Sequence, residues 1–274
     1  MACDAMLIKN RRYVAAECGL GARWRPRSGL ARTQHSRRRQ KESNSNSHNS
    51  AWPEDIPVRP AAHRIKGSMD TIRVAGICGS LRPGSYTRMA LKIALDAAAQ
   101  AGAEEARLID LRDYDLPFAT GEEVGGKAAA SVVRLRAEVK AADGLILATP
   151  EYHNSFSGVL KNALDLLGFD EIGGKMIGLI GVGGGSLGAF DALNELRKIG
   201  RALHSWVIPE QASIPEAWKQ FSENGVLSNA ALGQRLREVG AQVARFARVH
   251  KNAGARDFLD LWEKAPQNPG GADR

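Results

Sequence analysis

Between residues 71 and 250 the chain alternates short apolar runs of strand length with longer amphipathic stretches of helix length. The runs cover 71–78, 105–111, 144–150, 175–183 and 204–209. The stretches span 85–100, 127–142, 157–167, 189–203 and 229–250, with apolar residues at helical spacing, as at Val132, Leu135 and Val139. Strands separated in this way must be parallel, joined by right-handed crossovers that place helices on both faces of one sheet. The run Gly144 to Pro150 (GLILATP) is apolar nearly throughout, as expected of a strand covered on both faces.

Five such strands fit an α/β flavodoxin-like three-layer sandwich, a five-stranded parallel sheet in the order 2-1-3-4-5, at least as well as half of a six-stranded dinucleotide fold. In the five-stranded order the switch point lies between the first and third strands. Ligands then belong at the loops after strands one, three and four.

The first of these loops is GICGSLRPGSYTR, Gly76 to Arg88, which ends one strand and opens a helix near Ser85. The first-turn amides of a helix lack intrahelical partners, and its dipole places partial positive charge there, so the junction suits an anion. Ser80, Ser85 and Thr87 add hydroxyls, Arg82 adds a guanidinium, and no acidic residue interrupts the stretch. A phosphate monoester would use all of these donors. The plainer alternative is a strand-to-helix turn with Ser85 as its N-cap. No Lys-Ser/Thr pair follows a glycine run, so the loop is not that of a nucleoside triphosphatase, and a phosphate without bound magnesium is expected.

After the third strand, Pro150, Glu151, Tyr152, His153, Asn154 and Ser155 form a polar and aromatic crown on an apolar stem. Its peptide groups suit the edge of a planar heterocycle with Tyr152 and His153 packed beside it. The alternative is a pair of plain surface residues, with Glu151 capping the next helix. The fourth strand ends in GVGGGSLG, where Gly183, Gly184, Gly185 and Ser186 offer close backbone approach to a ligand. GGGSLG also matches the dinucleotide fingerprint with Glu210 downstream. It stands on the fourth strand instead of the first, however, and Glu210 follows a proline expected to end the fifth strand. His204 reads as a core or interface histidine and Cys78 as a small core residue. The sequence offers no Ser-His-Asp order with a nucleophile elbow and no metal-ligand spacing, so a cofactor is expected to carry the chemistry.

The net charge of +8 suggests nucleic acid until it is divided by region. Residues 1–68 hold 14 Lys or Arg against 5 Asp or Glu, whereas 69–274 hold 24 against 25. The basic leader, with RRRQK and a Ser/Asn tract, reads as disordered. It is a transit peptide, a basic arm for an acidic partner, or upstream sequence translated ahead of a start at Met69. The remaining organisation is a domain over 69–252 and a loose tail over 253–274. No nucleic-acid role is expected of the domain, and no apolar run reaches the roughly 20 residues of a membrane span. Three cysteines without a paired framework suit a reducing compartment, so a cytoplasmic location is expected, or an organellar one if the leader is a transit peptide.

GSLRPGSYTR, TPEYHNSFSGVLKNALD and GVGGGSLGAFDALNELR, in that order on those strands, resemble the NAD(P)H-dependent FMN reductase family, which includes chromate, quinone and azo-dye reductases. The resemblance covers about 72–211. It implies FMN, with its phosphate at Ser80, Arg82, Ser85 and Thr87. The isoalloxazine would lie at Pro150, Glu151, Tyr152, His153, Asn154 and Ser155, with a third flavin loop at Gly183, Gly184, Gly185 and Ser186. Members often carry Asn at Thr87 and a small residue at Asn154. The family further implies NADPH or NADH as co-substrate, hydride transfer at flavin N5 with no catalytic side chain, a small electron acceptor, and a homodimer or homotetramer. Arg88 and Arg112 are candidates for a 2′-phosphate. The alternative function is an electron-transfer flavoprotein of the flavodoxin type, without its own NAD(P)H oxidation; the near-neutral domain lacks the acidic docking face of such a carrier.

Overall fold

In a computed structural model the described residues are 71–120 and 126–252, so the expected leader and tail lie outside them. The elements run β1 (Arg73–Cys78), α1 (Tyr86–Gln100), β2 (Glu105–Asp110), a 3-10 turn (Leu111–Asp113), α2 (Gly126–Ala141), β3 (Gly144–Tyr152) and β4 (Ser155–Phe156). They continue through α3 (Gly158–Asp165), α4 (Phe169–Ile172), β5 (Met176–Val182), α5 (Phe190–Ala202), β6 (Trp206–Ile214), α6 (Ala217–Gln220) and α7 (Ala230–Asn252).

The parallel sheet has the order β2-β1-β3-β5-β6, which is the expected 2-1-3-4-5 once the short β4 is set aside. Alternation along the strands divides the core in two. Val74, Ile146 and Ile180 pack with Leu91 of α1 and Val239 and Val243 of α7. Ile77, Leu147 and Leu179 pack with Leu135, Leu160 and Leu193 of α2, α3 and α5. Helices α1 and α7 approach so closely that a Cβ on Gly240 would stand 1.8 Å from the Ala94 carbonyl oxygen. On the other face the buried Lys175 ammonium donates to the carbonyls of Val139, at 2.7 Å, and Lys140, at 2.9 Å, holding the carboxyl end of α2.

Two departures from the sequence reading bear on the site. A two-residue strand, β4, returns antiparallel on the tip of β3, pairing Tyr152 with Ser155. The last strand also runs on past Pro209 to Ile214, correcting the expected end at 209. Ile177 pairs with Val207 but Leu179 with Gln211, so residues 208–210 bulge opposite Gly178. On an edge strand the bulge accommodates the missing amide of Pro209 without breaking the pairing beyond it.

Candidate functional site

Strands β1, β3 and β5 are neighbours, so the loops after them emerge side by side on one edge of the sheet. The first two are fastened together. The Gly79 amide donates to the Ala148 carbonyl at 2.8 Å, and the buried Ser157 hydroxyl donates to the Gly79 carbonyl at 2.6 Å. Ser157 also caps α3, accepting from the Leu160 amide at 3.1 Å. It was not singled out in the sequence, because an N-cap serine in a polar loop gives no sign of a partner 78 residues away.

At the end of β1, Ser85 caps α1 by accepting from the Arg88 amide at 3.2 Å, and α1 has no acid in its first turn. The Tyr86 and Thr87 amides have no intrahelical partner and point out of the helix start. Ser80, Ser85 and Thr87 are each under 5% exposed. Arg82 is exposed, and its guanidinium lies over the Tyr152 ring, 5.3 Å from the centroid, joining the first loop to the second.

Arg88 does a different job from the one considered for it. Its Nε and Nη2 grip Asp110 at 2.5 and 3.0 Å, and its remaining donors reach the carbonyls of Ser80, Arg82 and Pro83 at 3.2, 3.0 and 3.2 Å. Those contacts fix the course of the loop backbone, in which the Arg82 amide donates to the Ser80 hydroxyl oxygen at 3.4 Å. Burial alone would raise the Asp110 carboxyl, but the Arg88 hydrogen bonds, the Arg112 amide and the two cationic charges together hold it below its ordinary value. Arg88 is therefore committed inside the protein and is not available to a 2′-phosphate. Its neighbour Cys78 is fully buried, and burial pushes its thiol above the ordinary value.

The crown on β3 divides into anchors and a presented turn. The Glu151 carboxylate accepts from the Ala192 amide at 3.0 Å in the first turn of α5, and the Ser155 hydroxyl bonds Glu195 of the same helix. These two side chains turn toward α5 and fix the hairpin to it. Pro150 is buried at the root, whereas Tyr152, His153 and Asn154 are exposed. His153 and Asn154 have φ of 52° and 61°, the left-handed pair that a two-residue hairpin of type I′ demands. Asn tolerates that region better than other residues with a Cβ, which accounts physically for Asn154 at the second position of the turn.

The third loop closes on itself. The Gly183 and Gly185 carbonyls accept from Ala217 at 3.1 Å and Glu216 at 3.0 Å, and a Cβ on Gly183 would stand 2.0 Å from the Gly188 carbonyl oxygen. Gly183 is thus required by the loop itself. Gly184 and Gly185, by contrast, would present a Cβ to open space, and Ser186 is exposed. The dinucleotide reading of this loop fails on Glu210, which lies within β6 and pairs with Arg235 at 3.4 Å, away from any strand tip. Beside the first loop, on the α3 side, a cleft of about 410 Å³ is lined by Leu81, Tyr114, Leu116, Phe118 and Val159 with Asn162. Its lining includes none of Tyr152 to Ser155 or Gly183 to Ser186. His204 stacks on Phe169 with centroids 4.3 Å apart, far from these loops at the opposite edge. Among the described residues no group of three or more His, Cys, Asp or Glu is placed to hold a metal, and no helix is long and apolar enough to cross a membrane.

Residues 72–219 match the model of a family described as NADPH-dependent FMN reductase. An NADPH azoreductase from a Bacillus species is 33% identical over 183 residues, 67% of this chain and 99% of its own length. An NAD(P)H:quinone oxidoreductase from Solanum tuberosum is 35% identical over 175 residues, 61% of this chain and 89% of its own. Among solved structures, a flavoenzyme NAD(P)H:(acceptor) oxidoreductase from Paracoccus denitrificans superposes with a TM-score of 0.53 at 24% identity, covering 66% of this chain and 99% of the other. That likeness is one of fold.

Proposed function

The chain belongs to the NADPH-dependent FMN reductase family, and from that premise we propose that its FMN sits on the β1, β3 and β5 loops and passes electrons from NAD(P)H to a quinone or azo compound. It is an NAD(P)H-dependent flavin oxidoreductase; the acceptor and the residue assignments are our reading. The observation that carries the placement is the acid-free start of α1, with its buried hydroxyls and a loop whose carbonyls Arg88 holds inward. Such a cradle fits a phosphate monoester with little reorganisation.

Bound FMN supplies the hydride acceptance and release that no side chain of the site offers. The chain's own groups hold and tune it. Arg82 and the Tyr86 and Thr87 amides balance the phosphate charge. The tight turn at His153 and Asn154 offers its backbone amides to the edge of the ring system, where they stabilise negative charge. Glu151 and Ser155 keep that turn fixed against α5. Gly184 and Gly185 leave room for a planar group to lie against bare backbone. Chromate and free flavin are further acceptors that an open site of this kind admits, because selectivity would need shaped polar contacts.

The test is an anaerobic visible spectrum before and after NADPH. A yellow protein bleached within the mixing time is expected; a yellow protein that NADPH leaves oxidised would favour an electron carrier, and a colourless one that FMN cannot reconstitute would remove the placement altogether. The assembly belongs to the same reading. Phe118 and Leu187 on the loops of this edge and Phe190 at the start of α5 are 81%, 89% and 59% exposed, which supports cover by a second copy in a homodimer or homotetramer. Light scattering should give at least twice the mass of one chain, and an active monomer would contradict it.

A further inference from the structure

The chain that follows β6 is fastened to the flavin loops at two points. The amides of Glu216 and Ala217 donate to the Gly185 and Gly183 carbonyls at 3.0 and 3.1 Å, and Phe221 stacks on Tyr86, the first residue of α1, with centroids 5.5 Å apart. Between these fastenings stand Trp218 and Lys219. Trp218 is 60% exposed, and the Lys219 ammonium lies over its ring, 4.9 Å from the centroid. Its Cα is only about 3.8 Å beyond that of Ala217, so the ring stands next to the third loop. Glu216, which pairs with Lys219 at 2.6 Å, has a φ of 42°, a left-handed conformation costly for a side chain of its kind. The bonds to the glycine loop hold it there.

We propose that Trp218 and Lys219 receive the adenosine end of NADPH, the indole stacking on adenine and the ammonium meeting the 2′-phosphate, an inference that rests on the reductase reading above. An exposed indole beside a cation offers a face to a planar base and a charge to an anion joined to it. Adenosine 2′-phosphate combines the two. Arg88, spent on Asp110 and three carbonyls, leaves that phosphate in need of another cation, and Arg112 lines the cleft on the α3 side. Glu216 is no obstacle. The two side chains of its pair are 34% and 49% exposed, and a pair so open to solvent adds little stability, so a phosphate with nearly two charges displaces the carboxylate.

Calorimetry on the FMN-loaded protein tests this with 2′,5′-ADP and 5′-AMP, which carry the adenosine end without the nicotinamide. Trp218→Ala is expected to weaken both about fivefold or more, the lower end of the range for losing one base stacked on an aromatic ring. Lys219→Gln should weaken 2′,5′-ADP about fivefold or more and 5′-AMP less than twofold, since only the former carries the 2′-phosphate. Arg112→Gln should change neither by as much as twofold. All three side chains are exposed, so the melting temperature and flavin content should match the parent and separate a lost contact from a damaged fold. Variants at 218 and 219 that bind 2′,5′-ADP as the parent does would overturn the proposal, as would a loss produced by Arg112→Gln in place of Lys219→Gln, or a parent protein without measurable affinity. Bleaching by NADPH is read separately: a yellow protein left oxidised would remove the reductase reading, whereas variants indifferent to 2′,5′-ADP remove only this subsite.

Discussion

Replacing Arg88 by alanine is expected to weaken FMN binding at least tenfold and to lower folding stability by about 3 kcal/mol, the lower end of the range for removing one partner of a buried ion pair. Both effects have one cause. Arg88 and Asp110 are 12% and 14% exposed, and the guanidinium also serves three carbonyls of the first loop. Without it, Asp110 keeps a charge with little solvent, and the peptide groups of 80–83 lose what orients them. Riboflavin lacks the phosphate, so its affinity should change much less than that of FMN. Equal losses for the two ligands would mean general unfolding instead of a damaged cradle. Urea titration and flavin titration separate the two readouts. Arg82→Ala should act differently, costing roughly 1.5 to 3 kcal/mol in FMN binding, the range for a charge-assisted hydrogen bond. It should leave stability within about 0.5 kcal/mol, because the side chain is exposed. The clamp also carries a pH signature. The Asp110 carboxyl is held below its ordinary value, so its stabilisation is complete above about pH 4, the unfolded value. It is lost as the pH falls through the lower folded value. Asp110→Asn should be less stable at neutral pH and flatter below pH 4.

The alternation of apolar strands with amphipathic helices made the sheet order legible, because a buried parallel strand needs an unbroken apolar run and each crossover needs its helix. The same logic failed at β6. Pro209 reads as an end, since a proline removes a ladder donor, and only the register of the neighbouring strand reveals the bulge that absorbs it. The β3–β4 hairpin was hidden for a different reason: His153 and Asn154 take the left-handed conformation without the glycine that usually announces it. In the three loops the sequence shows which residue types occur but not which way they turn. Ser85 caps α1, as its place before a helical pattern suggests, yet nothing in the spacing of Glu151 or Ser155 shows that their side chains turn to α5. Arg88 and Asp110 lie 22 residues apart on separate elements, and a pair of that kind becomes visible only once β1 and β2 are placed side by side.

The third loop offers the other large effect. Gly183→Ala is expected to cost about 3 kcal/mol of stability, the upper part of the range for forcing extra atoms into a packed site. FMN binding should weaken more than tenfold. The reason is the backbone and not the ligand. A Cβ at 183 would stand 2.0 Å from the Gly188 carbonyl oxygen and 2.4 Å from its carbon, and neither atom is the end of a side chain that could swing away. The loop must open to relieve the contact, and opening it strains the hydrogen bonds from Glu216 and Ala217 that hold its carbonyls. Gly184→Ala is the control. Its Cβ would meet nothing within 4 Å, so the folded protein should lose no more than about 0.5 kcal/mol. Any fall in FMN affinity for that variant then reports how closely the cofactor lies against bare backbone. Thermal melts of the flavin-free proteins, followed by flavin titration, distinguish the cases. If both variants melt with the parent protein, the closed form of the loop is wrong. If Gly184→Ala binds FMN as the parent does while Gly183→Ala does not, the glycine run serves the loop's own turn, and the ring system must rest on the hairpin of β3 instead.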